Sequence, residues 1–147
     1  LIMAFLSLVR LKWLAALGWL MIIPASMAEV FGKLVLFHPA PPVFLHRSVL
    51  PATLPSFYVH TDFSYPSGHM TRTIFIITIF INFFIFRQKN PVLRTIGLVS
   101  LTSLVFFMVL TRVYLGEHWI SDVIGGSILG AGMGFFASIL ILGRKKV

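Results

Sequence analysis

Four stretches of this sequence are apolar over the length needed to cross a bilayer. They are residues 13–31, 70–86, 92–111 and 119–143, and each holds few polar positions. A helix rises about 1.5 Å per residue, so about 20 apolar residues cross the roughly 30 Å of hydrocarbon. The pattern predicts an all-α fold, a polytopic transmembrane helical bundle with four clear spanning helices.

The ends of these stretches suggest how the chain is divided. Residues 1–9 are apolar but too short to cross alone, so we interpret them as the end of a longer helix or as an interfacial segment within an N-terminal membrane segment, 1–32. A cleaved signal peptide is the alternative, but the apolar run after Lys12 is longer than an ordinary signal core and lacks a clear cleavage pattern.

Residues 33–66 interrupt the apolar pattern with prolines, aromatics, histidines and arginine. We expect a loop outside the membrane, in which residues 43–50 and 55–60 suit an interfacial cap. Residues 67–143 then form the helical core, whose short connections at 87–91 and 112–118 make its three helices run up, down and up. All of 1–147 is predicted to be a single domain.

Composition supports a membrane protein and excludes several other classes. Apolar residues make up 58% of the chain, charged residues 11%, and mean hydropathy is +0.96, which does not fit a soluble domain. Without cysteine the chain can form no disulfide, thiolate nucleophile or Cys-ligated metal site.

The charged residues fall on two different sides of the predicted bundle. Eight of the twelve Lys and Arg lie at one set of helix ends, which the positive-inside rule makes cytoplasmic. The net charge of +8 is thus explained by topology, and a nucleic-acid partner is not required. The opposite side holds every histidine and every acidic residue, so acid–base chemistry is expected on the extracytoplasmic face. These residues are His38, His46, His60, His69, His118, Glu29, Asp62, Glu117 and Asp122.

The sequence Pro-Ser-Gly-His at 66–69 lies where the loop enters the second predicted helix. Ser67 is a favoured N-cap residue, Gly68 permits close backbone approach, and the first N–H groups of a helix have no intrahelical partner. Such a helix N-terminus binds anions. His69 lies in the first turn, with Arg72 three residues on along the same face.

A second motif joins the third and fourth predicted helices at residues 112–122. Arg112 closes the third helix, His118 opens the fourth, and Asp122 follows one turn later. At this spacing the carboxylate accepts a hydrogen bond from one imidazole nitrogen, which fixes the tautomer and leaves the other nitrogen free to attack.

Each residue also has a structural interpretation. A Ser-Gly pair commonly caps a helix, Arg at a helix end reaches the headgroups, and His or Trp often lies at the interface. The convergence of two His, one Arg and one Asp on one membrane face favours a functional site, because an ionisable residue in an apolar helix is costly unless partnered. For Gly125, Gly126, Gly130, Gly132 and Gly134 we prefer a structural role in close helix packing.

These residues resemble the type 2 phosphatidic acid phosphatase superfamily, membrane lipid phosphatases related to vanadium haloperoxidases. The family's PSGH signature is intact at 66–69, and SRxxxxxHxxxD is present at 111–122 with Thr111 in place of Ser. In KxxxxxxRP, Lys33 and Pro41 match but Ala40 stands where the family has Arg. Either this contact is missing, or Arg47, Arg72 or His38 replaces it.

The resemblance implies roles for named residues. His118 would be the nucleophile, Asp122 would hold its imidazole, and His69 would be the general acid and base. The substrate phosphate would be bound by Arg112, Ser67, Gly68 and Lys33. No cofactor and no metal are expected; a zinc site is the alternative, but neither motif has a second His at metal spacing.

The resemblance also implies a lipid phosphate or diphosphate as substrate: undecaprenyl diphosphate, phosphatidylglycerol phosphate or phosphatidate. A site at extracytoplasmic helix ends, level with the headgroups, fits that class, and we expect a bacterial cytoplasmic membrane. The partners are therefore the bilayer and the lipid substrate, with the oligomeric state open. The alternatives are a lipid phosphotransferase and a non-catalytic phospholipid-binding scaffold.

Overall fold

The computed structural model describes residues 1–47 and 63–143, whose regular secondary structure is helical apart from an isolated antiparallel bridge between Pro39 and Phe63. The predicted all-α fold is confirmed. Residues 48–62, which include much of the predicted interfacial cap, and the basic residues 144–146 lie outside the described residues. The helices are α1 (Ile2–Val9), α2 (Trp13–Leu20), α3 (Ile22–Val35), α4 (Gly68–Phe86), α5 (Pro91–Tyr114) and α6 (Ile120–Leu142), with a 3-10 turn at Val43–Leu45.

Four segments of the described chain are long and apolar enough to cross a membrane. They are Trp13–Val35, Gly68–Phe86, Pro91–Tyr114 and Ile120–Leu142, with mean hydropathies between 1.6 and 2.0. These correspond to the four predicted spans, and the chain is an integral membrane protein built as a polytopic bundle.

The first span is broken rather than continuous. The pattern predicted one helix over 13–31, whereas α2 ends at Leu20 and α3 starts at Ile22. Pro24 explains the break, because it has no N–H to donate to the Leu20 carbonyl and its ring crowds that same carbonyl. Residues 13–35 therefore form one span made of two consecutive helices.

The predicted loop also starts too early at residue 33. Helix α3 continues to Val35, so Lys33 lies in its last turn and is buried. An ion pair between Lys33 and Glu29, four residues apart on one helix face, stabilises this turn. The prediction that Lys33 belongs to the loop was wrong, and its side chain is fixed by the helix.

Helices α4 and α6 form the most closely packed pair of the bundle. A Cβ added at Gly126 would overlap the Ser67 carbonyl oxygen, and one added at Gly130 would overlap that of Thr71. Gly134 meets the backbone of the same helix one turn further along. The predicted glycine packing is confirmed at these three positions, where the two backbones touch.

The other two glycines of this set have different surroundings. Gly125 lies against the Tyr65 ring, and Gly132 has no neighbour within 4 Å. Close helix packing was therefore the wrong interpretation for these two positions, because they lie on faces of α6 that do not meet α4.

The opposite ends of α4 and α6 are joined by polar contacts. Asn82 donates to the Ser138 hydroxyl over 2.9 Å, inside the bundle. Arg87, at the end of α4, donates to the Leu142 carbonyl at the end of α6. A cation at the carboxyl end of a helix satisfies its last carbonyls and complements its dipole. The pair is thus anchored at both ends.

Helix α5 lies at the edge of the bundle and has no buried residue. Many of its apolar side chains are exposed, as expected for a helix that faces lipid, while Val105, Met108 and Val109 pack against the core. Asn90 caps its start by accepting from the backbone N–H groups of Val92 and Leu93. Helix α5 contributes Arg112, in its last turn, to the site. The turn that follows Arg112 leads to α6.

The glycine contact predicts a stability difference between two matched alanine variants. Gly130→Ala places a methyl group against the α4 backbone and should lower the free energy of unfolding by about 1–3 kcal/mol. Gly132→Ala, on the open face of the same helix, should leave it unchanged or raise it by up to about 1 kcal/mol through helix propensity. Denaturant unfolding in detergent measures both, and equal stability of the two variants would contradict the packing described.

Candidate active site

The two sequence motifs meet because the N-terminal ends of α4 and α6 lie side by side. The backbone N–H of Ser67 donates to the Asp122 carbonyl over 3.0 Å, directly linking the two motifs. The contact of Gly126 with the Ser67 carbonyl brings the helices close enough for this bond. Backbone contacts, independent of any ligand, therefore place both histidine-bearing segments in one site.

His118 and Asp122 form the hydrogen-bonded pair that the spacing predicted. His118 Nδ1 lies 3.3 Å from Asp122 Oδ2, and both side chains are buried. The same oxygen accepts the Trp119 backbone N–H over 3.0 Å, so it also caps α6. Since Nδ1 faces the carboxylate, Nε2 is the nitrogen left to meet a substrate.

His69 occupies the first turn of α4 on the same side of the bundle. It is half-buried and lies within electrostatic range of His118, Arg112, Arg72 and Glu117. The two imidazoles predicted as nucleophile and acid–base group are therefore in one charged environment.

Lys33 and Arg72 are linked through a carboxylate that the sequence analysis did not assign to the site. Glu29 is buried on α3; its Oε1 lies 2.8 Å from Lys33 Nζ and its Oε2 lies 3.0 Å from Arg72 Nη1. The same carboxylate packs against Gly68 at the start of α4. Glu29 thus joins two predicted phosphate-binding residues to the helix N-terminus predicted to bind an anion.

Arg112 is paired in a similar way with Glu117. The Nη1 group of Arg112 donates to the Glu117 carboxylate, and both side chains are largely buried. This pair fixes the guanidinium beside the turn that carries His118. Thr111 stands where the family signature has Ser. Its hydroxyl donates to the Phe107 and Met108 carbonyls, so it bonds within α5.

Three buried polar atoms in the described part of the chain have no hydrogen-bond partner: Ser67 Oγ, Arg112 Nε and Asp122 Oδ1. Leaving a buried donor or acceptor unsatisfied costs about 1–3 kcal/mol. Ser67 is the N-cap residue of α4, yet its hydroxyl makes no capping bond. Two of the three atoms thus belong to residues predicted to hold the non-bridging oxygens of a phosphate.

A cavity of about 170 Å³ opens beside His118. Its walls include Lys33, Ala40, His46, Ser64, Glu117 and His118. Ala40 stands at the Arg position of the KxxxxxxRP signature, and its side chain is only a methyl group. The space beside the predicted nucleophile is therefore bounded by a cation and a carboxylate.

The three residues considered as replacements for that Arg have different surroundings. Arg47 lies with its guanidinium 4.7 Å from the Tyr114 ring centroid, and its backbone N–H donates to the Leu115 carbonyl, so it attaches the loop to the α5–α6 turn. His38 Nε2 lies beside Ser121 and Asp122 instead. Arg72 alone is linked to Lys33, through Glu29.

Within residues 1–47 and 63–143, no group of three or more His, Asp or Glu side chains could hold a metal ion.

Glu29 and Glu117 are the site residues that the sequence analysis did not assign. Glu29 could have been found, because a carboxylate within an apolar span needs a partner and Lys33 follows it at a four-residue spacing.

Comparison with known proteins gives a family assignment. The family model of the PAP2 superfamily matches residues 13–146, which is nearly the whole chain. Searches of curated proteins and of solved structures find no match. The chain therefore belongs to the PAP2 superfamily, a family of phosphatase-type enzymes acting on phosphate esters.

Proposed function

We propose that this protein is a membrane lipid phosphatase, which hydrolyses a phosphomonoester or diphosphate of a lipid through a phosphohistidine on His118. The observation that carries the proposal is the pair of buried, unpartnered groups on Ser67 and Arg112 beside the His118–Asp122 pair. Donors left unsatisfied in a water-poor site are compensated when an anionic oxygen binds to them.

In the first step, His118 Nε2 attacks the phosphorus atom. The bond from phosphorus to the leaving oxygen breaks as the P–N bond forms. His69 gives its proton to that oxygen, so a phosphomonoester releases its alcohol and a lipid diphosphate releases its protonated lipid monophosphate. Asp122 keeps the His118 ring oriented and stabilises the positive charge that develops on it.

In the second step, neutral His69 accepts a proton from water while the hydroxide attacks the phosphohistidine. The P–N bond breaks, inorganic phosphate is released and both imidazoles return to their starting states. Fixed donors supply the electrostatic stabilisation: the guanidinium of Arg112, the ammonium of Lys33, the hydroxyl of Ser67 and the first N–H groups of α4. We propose that these groups make a metal ion unnecessary.

A lipid substrate is favoured by where the site lies. The reactive groups are at the ends of helices that are apolar enough to span a bilayer. The phosphate of a lipid could reach them at headgroup level while the lipid tail stays in the hydrocarbon.

Undecaprenyl diphosphate, phosphatidylglycerol phosphate and phosphatidate are the substrates to test. We propose an active site on the extracytoplasmic face of a bacterial cytoplasmic membrane. The basic residues at the opposite helix ends support this orientation.

Phosphate release should depend on His118 and persist without divalent metal. We expect wild-type protein in detergent with EDTA to release phosphate from at least one of the three lipids. His118→Ala should lower kcat by more than about 1,000-fold, because it removes the nucleophile. A malachite green assay measures both.

Gly132→Ala, on the open face of α6, serves as the control variant and should retain wild-type turnover. Complete loss of wild-type activity in EDTA would overturn the metal-free mechanism. Full turnover by a folded His118→Ala protein would overturn the proposed nucleophile.

Ser67→Ala should separate function from stability. Because Ser67 Oγ has no hydrogen-bond partner, its removal should leave the free energy of unfolding unchanged or slightly higher. The same change should lower kcat/KM about 10- to 100-fold, since a bond to the charged transition state is lost. Unfolding in detergent and steady-state kinetics test the two parts. Lower stability with unchanged kinetics would instead make Ser67 a structural cap.

A further inference from the structure

We propose that His38 is a second imidazole on Asp122, a positioning residue that holds this carboxylate in register with the nucleophile. The proposal deepens the proposed function and rests on it for its kinetic consequences. Its structural basis is the side-by-side placement of His38, Asp122 and His118, with the carboxylate in the middle.

The two oxygens of Asp122 face different histidines. Oδ2 lies 3.3 Å from His118 Nδ1, and Oδ1 lies 3.1 Å from His38 Nε2. Asp122 is completely buried, while the His38 side chain is 38% exposed. The carboxylate is therefore enclosed between the two rings, one inside the bundle and one at its rim.

Two side chains are placed to donate to the Asp122 carboxylate: the Ser64 hydroxyl and the His38 imidazole, whose Nε2 lies 3.1 Å from Oδ1. The His38 ring currently makes its hydrogen bond with the Ser121 hydroxyl, Nε2 to Oγ, over 3.0 Å, which leaves Oδ1 without a well-aligned partner. A carboxylate can only accept, so its proximity favours the His38 tautomer with the proton on Nε2. A small rotation of the ring would share this proton between Ser121 and Asp122.

Two hydrogen bonds hold the backbone around His38. The Ser64 N–H donates to the His38 carbonyl over 3.0 Å, next to the bridge between Pro39 and Phe63. The Trp119 indole N–H donates to the Pro39 carbonyl over 2.9 Å, which ties this segment to the start of α6. These bonds hold the backbone that carries the His38 ring beside the carboxylate.

The His38 ring itself is supported by Tyr65. The two rings meet edge to face, with centroids 5.8 Å apart. Tyr65 in turn packs against Gly125 of α6, where any side chain would displace it. The support of His38 thus comes from the same helix that carries Asp122.

A direct role for His38 in binding substrate is less well supported. The walls of the cavity beside His118 are formed by other residues of the described chain, among them Lys33 and His46. His38 contacts the site through Asp122 Oδ1, the carboxylate oxygen that does not face His118. Its effect on the reaction should therefore pass through that carboxylate, which orients the His118 ring in both chemical steps.

The test is a double-mutant cycle between positions 38 and 122. His38→Phe keeps an aromatic ring against Tyr65 but removes the donor. We expect kcat to fall about tenfold with little change in KM. Loss of a residue that orients a neighbouring functional side chain typically lowers activity by about 10- to 100-fold. His38→Gln, whose amide N–H can still donate to Oδ1, should recover most of the rate.

In an Asp122→Asn background, His38→Phe should cause no further loss, because the group it acts on is already changed. An equal tenfold loss in both backgrounds would overturn the proposal, as would an effect confined to KM or no effect on the wild-type background. A Gln variant as slow as the Phe variant would also count against a donor role.

A second measurement does not depend on turnover. In protein labelled with ¹⁵N-histidine in detergent, His38→Phe should shift the ring nitrogen signals of His118 in the wild-type background but not in the Asp122→Asn background. If the wild type releases no phosphate from any lipid, the proposed function fails while this result still decides the positioning role. Unchanged His118 signals would overturn that role.

Discussion

The site depends on the direct contact between the backbones of α4 and α6. Glycines 126, 130 and 134 let α6 lie against the carbonyl groups of α4, and the Ser67 N–H reaches the Asp122 carbonyl at the end of this contact. Larger side chains would separate the helices, and the two histidine motifs would separate with them. The polar contacts at the other end, from Asn82 and Arg87, keep the helices from sliding. The geometry of the candidate site is thus a consequence of membrane helix packing.

Charge pairing explains how three cations are accommodated in an apolar bundle. The three cations near the histidines, Lys33, Arg72 and Arg112, are matched by carboxylates of Glu29 and Glu117, while Asp122 is held by imidazoles. An unpaired buried charge would cost several kcal/mol, so these carboxylates stabilise the cations they pair with. A phosphate entering this formally balanced set brings excess negative charge, which a proton on His69 would offset. The pairing therefore suits a reaction that needs a protonated acid at its first step.

The sequence predicted what depends on local pattern. Apolar length located the four spans, Ser67 was correctly placed as the N-cap of α4, and the four-residue spacing predicted the His118–Asp122 contact. The misses depend on tertiary contacts. Lys33 was assigned to a loop because its burial comes from Glu29 and from packing of α3, and the contact between His38 and Asp122 was not predicted because nothing local shows that residues 38 and 122 meet. The break at Met21 was missed although Pro24 signals it.

The central claim is that His118 carries the phosphoryl group, and isolating that intermediate tests it most directly. A His69→Ala protein mixed with p-nitrophenyl phosphate needs no general acid for its good leaving group, but lacks the base that would hydrolyse the intermediate. Tandem mass spectrometry of the base-quenched protein should then find phosphohistidine at residue 118, and none when His118 is also replaced by Ala. Release of p-nitrophenol at the full rate with no phosphorylated histidine, or with the phosphoryl group on another residue, would contradict the account.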